Sequence, residues 1–141
     1  MTGTRACTKS TTHAPAATDV KAFIIAGALL AAAAVAAGAF GAHALADRLS
    51  AERLATWETA ARYHFYHSIA LIAAGLLAER WPGSGMVAAG WLFTAGIVIF
   101  GGTVYALALG APRWLGAVTP LGGLAFIAGW IVLAAAVWRA A

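Results

Sequence analysis

Gly38-Ala39-Phe40-Gly41-Ala42-His43-Ala44-Leu45 closes one long apolar run, and Tyr63-His64-Phe65-Tyr66-His67-Ser68-Ile69-Ala70-Leu71 opens another. Between them, Asp47 to Arg62 alternates Asp, Arg, Glu, Arg, Glu and Arg with Leu49, Leu54, Trp57 and Ala61. Three of the four histidines and two of the three tyrosines fall in or beside this stretch. Nearly everything outside it is Ala, Gly, Leu, Ile, Val, Phe and Trp. Two apolar runs around a charged link read as membrane-crossing helices, and that reading decides the fold.

The composition agrees. Of 141 residues, 62% are hydrophobic and 10% charged, and the mean hydropathy is +0.83. Soluble domains carry roughly 25% charged residues, so this chain has too little polar surface to coat a water-soluble globule. Ala22 to Leu45 is apolar except for His43, about 24 residues or roughly 36 Å of helix. A second span covers Tyr63 to Ala78 and stops at Glu79-Arg80-Trp81-Pro82-Gly83, where charge, an interfacial Trp and a Pro-Gly turn coincide. A third covers Met86 to Leu109, followed by the turn Gly110-Ala111-Pro112-Arg113-Trp114. The fourth covers Leu115 to Trp138, with Arg139 as its anchor. The prediction is an all-α membrane protein. Its membrane domain, residues 21–141, is a four-transmembrane-helix bundle with consecutive helices antiparallel.

Asp47 to Arg62 is predicted to be a short amphipathic segment lying at the interface, with Trp57 at headgroup depth. Ser50 stands at capping distance from Arg53, although the capping box lacks its acidic or amide partner. Residues 1–20 are rich in Thr, Ser and Ala without apolar periodicity, which predicts a disordered polar tail. Ala44-Leu45-Ala46 before Asp47 has the form of a signal-peptidase site. Signal h-regions run only about 7–15 residues, so the first span is expected to be retained.

The net charge of +4 comes from nine Lys and Arg scattered at the ends of apolar runs, where they act as snorkelling anchors. No basic face is clustered, and nucleic acid is not an expected partner. The single cysteine, Cys7, excludes an intramolecular disulfide and a cysteine-based metal centre. With both termini on one side, Lys9, Lys21, Arg80 and Arg139 stand against Arg48, Arg53, Arg62 and Arg113. Arg5 tilts this balance to cytoplasmic termini.

Depth sorts the polar side chains. Counted from Ala22, His43 is roughly 32 Å along the first helix, near the far interface. A second helix starting at that face places Tyr63, His64, Tyr66 and His67 there as well. The third helix ends there with Thr103 and Tyr105, and the fourth starts there with Thr119. The expected polar cluster is therefore His43, Tyr63, His64, Tyr66, His67, Tyr105 and Thr119. In lipid such groups most often hydrogen-bond a neighbouring helix. The alternative is a three-histidine metal site of His43, His64 and His67, or a haem held by two of them. Gly27, Ala31, Ala34, Gly38 and Gly41 recur at three- and four-residue spacing and form a smooth stripe. With the doublets Gly101-Gly102 and Gly122-Gly123 they supply the expected helix-packing positions. Phe40-Gly41-Ala42-His43 and Phe100-Gly101-Gly102-Thr103 form a weak internal repeat. Nothing matches a nucleophile elbow, a phosphate-cradling loop or a paired-carboxylate site. The apolar spans carry no acidic residue at mid-depth, which argues against an ion-coupled transporter.

Four motifs in order carry a family resemblance. They are Gly38 through Leu45; Tyr63 through Leu71; Gly90-Trp91-Leu92-Phe93 leading to Phe100-Gly101-Gly102-Thr103-Val104-Tyr105; and Thr119-Pro120-Leu121-Gly122-Gly123 ending in Gly129-Trp130. Over about Ala22 to Trp138 the chain resembles the small bacterial membrane proteins grouped as domain of unknown function 423, or uncharacterised protein family 0382. Transmembrane protein 256 is a eukaryotic relative. The resemblance implies a four-helix protein of the bacterial inner membrane without an established activity. His43 and His67 match family positions. His64 stands where the resemblance leads to Gln, and Gly101 or Gly102 where it leads to Ser. A three-histidine metal site is then not the family's common property.

The expected function is that of a non-enzymatic protein that packs against, assembles or stabilises other membrane proteins, or associates with itself, in the bilayer. The alternative is a redox, quinone-binding or lipid-binding module that uses the His/Tyr cluster, and the third is a small transporter or channel. No cofactor is expected in the first; haem, a metal or a quinone belongs to the second.

Overall fold

The computed structural model describes residues 17–140, which are helical throughout except for short turns. Most of the expected polar tail, with Cys7 and His13, lies outside the described residues. From Ala17 onward the chain is already helical. Helix α1, Ala17–Phe40, continues through a π-helical turn at Gly41–Leu45. Helix α2 spans Ala51–Arg80. Helix α3, Ser84–Gly96, passes through a second π-helical turn, Ile97–Gly101, into α4, Gly102–Ala108. A 3-10 turn, Arg113–Ala117, leads into α5, Thr119–Ala140. The described residues thus form four helical rods. Three are long and apolar enough to cross a membrane, over Val20–Leu45, Gly85–Ala108 and Arg113–Ala140.

The remaining rod, α2, corrects the expected interfacial segment. Ser50 is its N-cap, with an extended backbone and Oγ accepting the Arg53 amide at 3.4 Å. No Gly or Pro interrupts the chain from Ala51 to Ala74, so nothing stops the helix between the charged stretch and the apolar one. It ends at Arg80 because Pro82 drives Trp81 out of the helical region, to φ −130° and ψ 85°. The charged stretch is therefore the first turns of a 30-residue helix, about 45 Å long, and not a separate element. Tyr63 then lies about 18 Å inside α2 rather than at its start.

The far end of α4 closes by a Schellman motif. Gly110 takes φ +97°, the Ala111 amide donates to the Ala106 carbonyl at 2.9 Å, and the Gly110 amide donates to Leu107 at 3.0 Å. Arg53 Nε donates to the Ala108 carbonyl at 2.7 Å, placing a cation on an otherwise orphaned helix C-terminus. This bond ties the first turn of α2 to the end of α4.

In the packed array, α2 and the α3–α4 rod form a central antiparallel pair; α1 lies along α2 and α5 lies along α3. Helix α1 meets α3 at Phe23, whose ring lies over Gly90 and meets Trp91 edge-on at 5.5 Å. Helices α1 and α5 lie at opposite edges and share no packed seam. Phe23, Leu71, Ala74, Met86, Phe93, Ile97, Phe126 and Leu133 fill the main core. Lipid tails are as apolar as these side chains, so close fit rather than water exclusion holds such helices together.

The close fit is set by glycines, though not mainly those expected. Gly41 lies under the Trp57 indole, and at Gly122 an added Cβ would come 2.7 Å from Phe100 Cβ. Gly38, Gly102 and Gly123 have nothing within 4 Å of where a Cβ would stand, and Gly101 meets only Tyr105 of its own rod. Gly27 of the expected stripe packs on Ile72, as expected; the tight approaches that were not expected include Gly75 on Ile24, Gly96 on Phe126 and Gly129 on Phe93. Phase explains the doublet at 122–123. Neighbouring residues point about 100° apart on a helix, so only one of two adjacent glycines can face a given partner.

Candidate functional site

The site is built from α2 outward. His67 is only 6% exposed. Its Nδ1 lies 2.8 Å from the Tyr63 carbonyl, one turn back. A carbonyl can only accept, so Nδ1 carries the proton. Its Nε2 then offers a lone pair, which accepts the Trp130 indole N–H from α5 at 3.4 Å. The ring stacks on Phe126 with centroids 3.4 Å apart and 12° between planes, and lies parallel to Tyr63 at 6.0 Å. Phe93 of α3 closes the nest. One neutral imidazole thus joins three rods with both nitrogens engaged.

A second group lies nearer the connector end. His64 Nδ1 is 3.4 Å from the Tyr105 hydroxyl, and the Tyr105 ring meets Trp57 at 4.6 Å. His64 Nε2 is buried without a partner. Trp57, only 8% exposed, donates its indole N–H to the Ala37 carbonyl of α1 at 2.8 Å. It was expected as a headgroup anchor and instead is a bolt between α1, α2 and α4. A third group is the hydroxyl pair in which Thr119 donates to Thr103 at 2.9 Å. Thr103 in turn donates to the Ile99 carbonyl at 2.7 Å, within the second π turn. A π turn holds an extra residue and shifts the phase of the helix beyond it; here Thr103 of α4 meets Thr119 of α5, while α4 as a whole packs on α2.

The expected cluster is therefore divided. His64 and Tyr105 meet; His67 meets Tyr63, together with Trp130, which the sequence reading had not placed in the group; Thr119 meets Thr103. His43 and Tyr66 face outward, Tyr66 at 55% exposure. Nor do these residues gather at one end. His67 lies about 20 Å along α2 from Arg80 and about 8 Å from Arg62, inside the uncharged part of the helix. The histidine set His43, His64 and His67 is not assembled: no group of three or more His, Cys, Asp or Glu suited to a metal occurs among the described residues. The His67 lone pair is also directed at an indole N–H rather than at open space.

The family model described as "Protein of unknown function (DUF423)" matches residues 37–123. The chain belongs to this family. The DUF423 match takes in His43, Tyr63, His64, Tyr66, His67, Tyr105 and Thr119 and leaves out Trp130. Among DUF423 relatives, the UPF0382 membrane protein YwdK of Bacillus subtilis is 47% identical over 64% of this chain and 74% of its own length. A UPF0382 membrane protein of Staphylococcus epidermidis is 48% identical over 64% of this chain and 73% of its own. One from Staphylococcus saprophyticus is 45% identical over similar shares, 64% and 74%. No solved structure matches. The chain is a helical membrane protein of the DUF423 family.

Proposed function

We propose that the chain is a four-span bundle of the bacterial inner membrane, with cytoplasmic termini, that works without catalysis by packing laterally against other membrane proteins. The supporting observation is the open array. Helices α1 and α5 flank the central pair without closing on each other. They turn Ile25, Leu29 and Val35 on one edge, and Leu124, Ile127 and Ile131 on the other, to the outside. His64, His67, Thr103 and Thr119, by contrast, turn inward and join helices. Photo-crosslinking residues placed at Leu29, Val35, Ile127 and Ile131 in native membranes test this. A discrete, reproducible adduct from one edge, absent with a probe at buried Leu71, is the expected result. Adducts to lipid alone from every outward position refute the role.

A second reading, a module holding a quinone or lipid tail, draws on a groove of about 440 Å³ between α2 and α5. Leu77, Trp130, Leu133, Val137 and Trp138 line it, and Trp130 joins it to the His67 nest. The visible and ultraviolet spectra of detergent-purified protein, with elemental analysis, decide this. A stoichiometric chromophore or metal lost on His67→Ala replaces the first reading with the second. Clean spectra and no metal retire haem, quinone and tightly bound metal together.

A further inference from the structure

At the end of the molecule where α2 turns into α3 there is an open cavity of about 470 Å³. Trp81, Pro82 and Met86 form one wall, and Val132, Ala136 and Arg139 of α5 the other. The turn makes this space. Gly85 lets α3 meet α5 flush, since a Cβ there would come 2.7 Å from Ala136 Cβ. Beside that pinch Trp81 carries the Arg80 guanidinium over its ring at 5.5 Å. Arg139 lines the cavity, and Arg80 reaches its rim over Trp81; both are exposed, with Glu79 next to Arg80 in the chain. The lining is apolar toward the bundle and cationic at the rim.

We propose that this cavity binds an anionic phospholipid, its phosphate held at Arg139 with Arg80 at the rim and the start of an acyl chain against Val132 and Ala136. Charge complementarity and location select this occupant. In a membrane protein an end marked by Trp81, Trp138, Arg80 and Arg139 sits at headgroup depth, where lipid is the abundant molecule that is anionic at one end and apolar at the other. Each cation near an anionic lipid surface contributes about 1 kcal/mol, about fivefold in affinity. The inference is independent of any lateral protein partner.

The test uses the full chain in neutral detergent, titrated with phosphatidylglycerol, phosphatidylcholine or soluble glycerol phosphate and read by native mass spectrometry. Phosphatidylglycerol is expected to fill one tight site, about 25-fold better than phosphatidylcholine, from the two arginines at the rim. Arg139→Gln should lower that affinity about fivefold and leave phosphatidylcholine unchanged. Arg113→Gln removes the same charge at the opposite end and should leave the tight site intact. Ala135→Phe narrows the cavity from the α5 side and should weaken both lipids. If that variant fails to fold, the exposed Arg139 variant carries the test. Equal binding of the two lipids overturns the proposal. So does an equal loss from R113Q and R139Q, which means diffuse attraction. Glycerol phosphate binding as tightly as the lipid also overturns it, because the apolar wall would then contribute nothing.

Discussion

His67→Phe separates what the buried imidazole does by shape from what it does by hydrogen bonding. The new ring fits the space between Phe126 and Tyr63, so the stack at 3.4 Å survives while two hydrogen bonds vanish. The first loss is mild, because the Tyr63 carbonyl keeps its partner within α2, the His67 amide one turn on. The second leaves the Trp130 N–H unpaired in an apolar setting, but that bond is long, and interhelical polar contacts in membranes average about 0.6 kcal/mol. The expected total is about 1 kcal/mol. His67→Ala also deletes a ring that touches three rods, and emptying an aromatic site costs about 3 kcal/mol or more. Equilibrium unfolding in bicelles, by steric trapping or by titration with a denaturing detergent, should order the proteins wild type, Phe, Ala. If the Phe variant is as unstable as the Ala variant, the joint is held by its polar bonds and the packing account is wrong.

Gly122→Ala should destabilise by about 1–3 kcal/mol, since its Cβ would press on the Phe100 backbone; Gly123→Ala, with open space, should be neutral or gain up to about 1 kcal/mol from helix propensity. Equal effects in the same unfolding assay contradict the assigned face. Gly110→Ala forces a side chain to φ +97° against Arg53 and should cost about 1–2 kcal/mol. Arg53→Met should cost about 1.5 kcal/mol by leaving the Ala108 carbonyl unpaired. Both should speed amide hydrogen exchange from Leu107 to Ala111, and unchanged protection there rules out the clamp. Trp57→Phe should lose about 1 kcal/mol with its bond to Ala37, while Trp138→Phe, at an 86% exposed position, should lose nothing measurable.

The apolar rods and their stops were legible because each depends on local chemistry: run length, the Trp81-Pro82-Gly83 break and the Gly110-Ala111-Pro112 turn. What misled was charge. The alternation from Asp47 to Arg62 reads as a surface element, yet the lack of any Gly or Pro between Ala51 and Ala74 signals a continuous helix. That one difference moves Tyr63, His64 and His67 from an end toward the interior. Trp57 and Trp130 were missed as partners because Trp near charge suggests an anchor and Trp in an apolar run suggests a lipid contact. Only the phase of one rod against the next shows that their N–H groups point inward. The glycine doublets drew attention by motif, whereas packing chooses by face.

The uncharged part of α2 has a further consequence in the four-span reading. From Tyr63 to Ala78 it measures roughly 24 Å, against roughly 39 Å for the 26 residues of Val20–Leu45. Hydrocarbon is about 30 Å thick, so the apolar belt around the molecule is uneven: short where α2 shows Phe65, Ile69 and Leu76, tall along α1 and α5. Bilayer thickness has to vary around a single protein only some tens of ångströms across. Lipids beside α2 are compressed or Arg62 stretches to the headgroups, at fractions of a kcal/mol per ångström. Shorter-chain lipids relieve that strain, so the α2 side should gather them, and the protein should settle where the membrane is already thin.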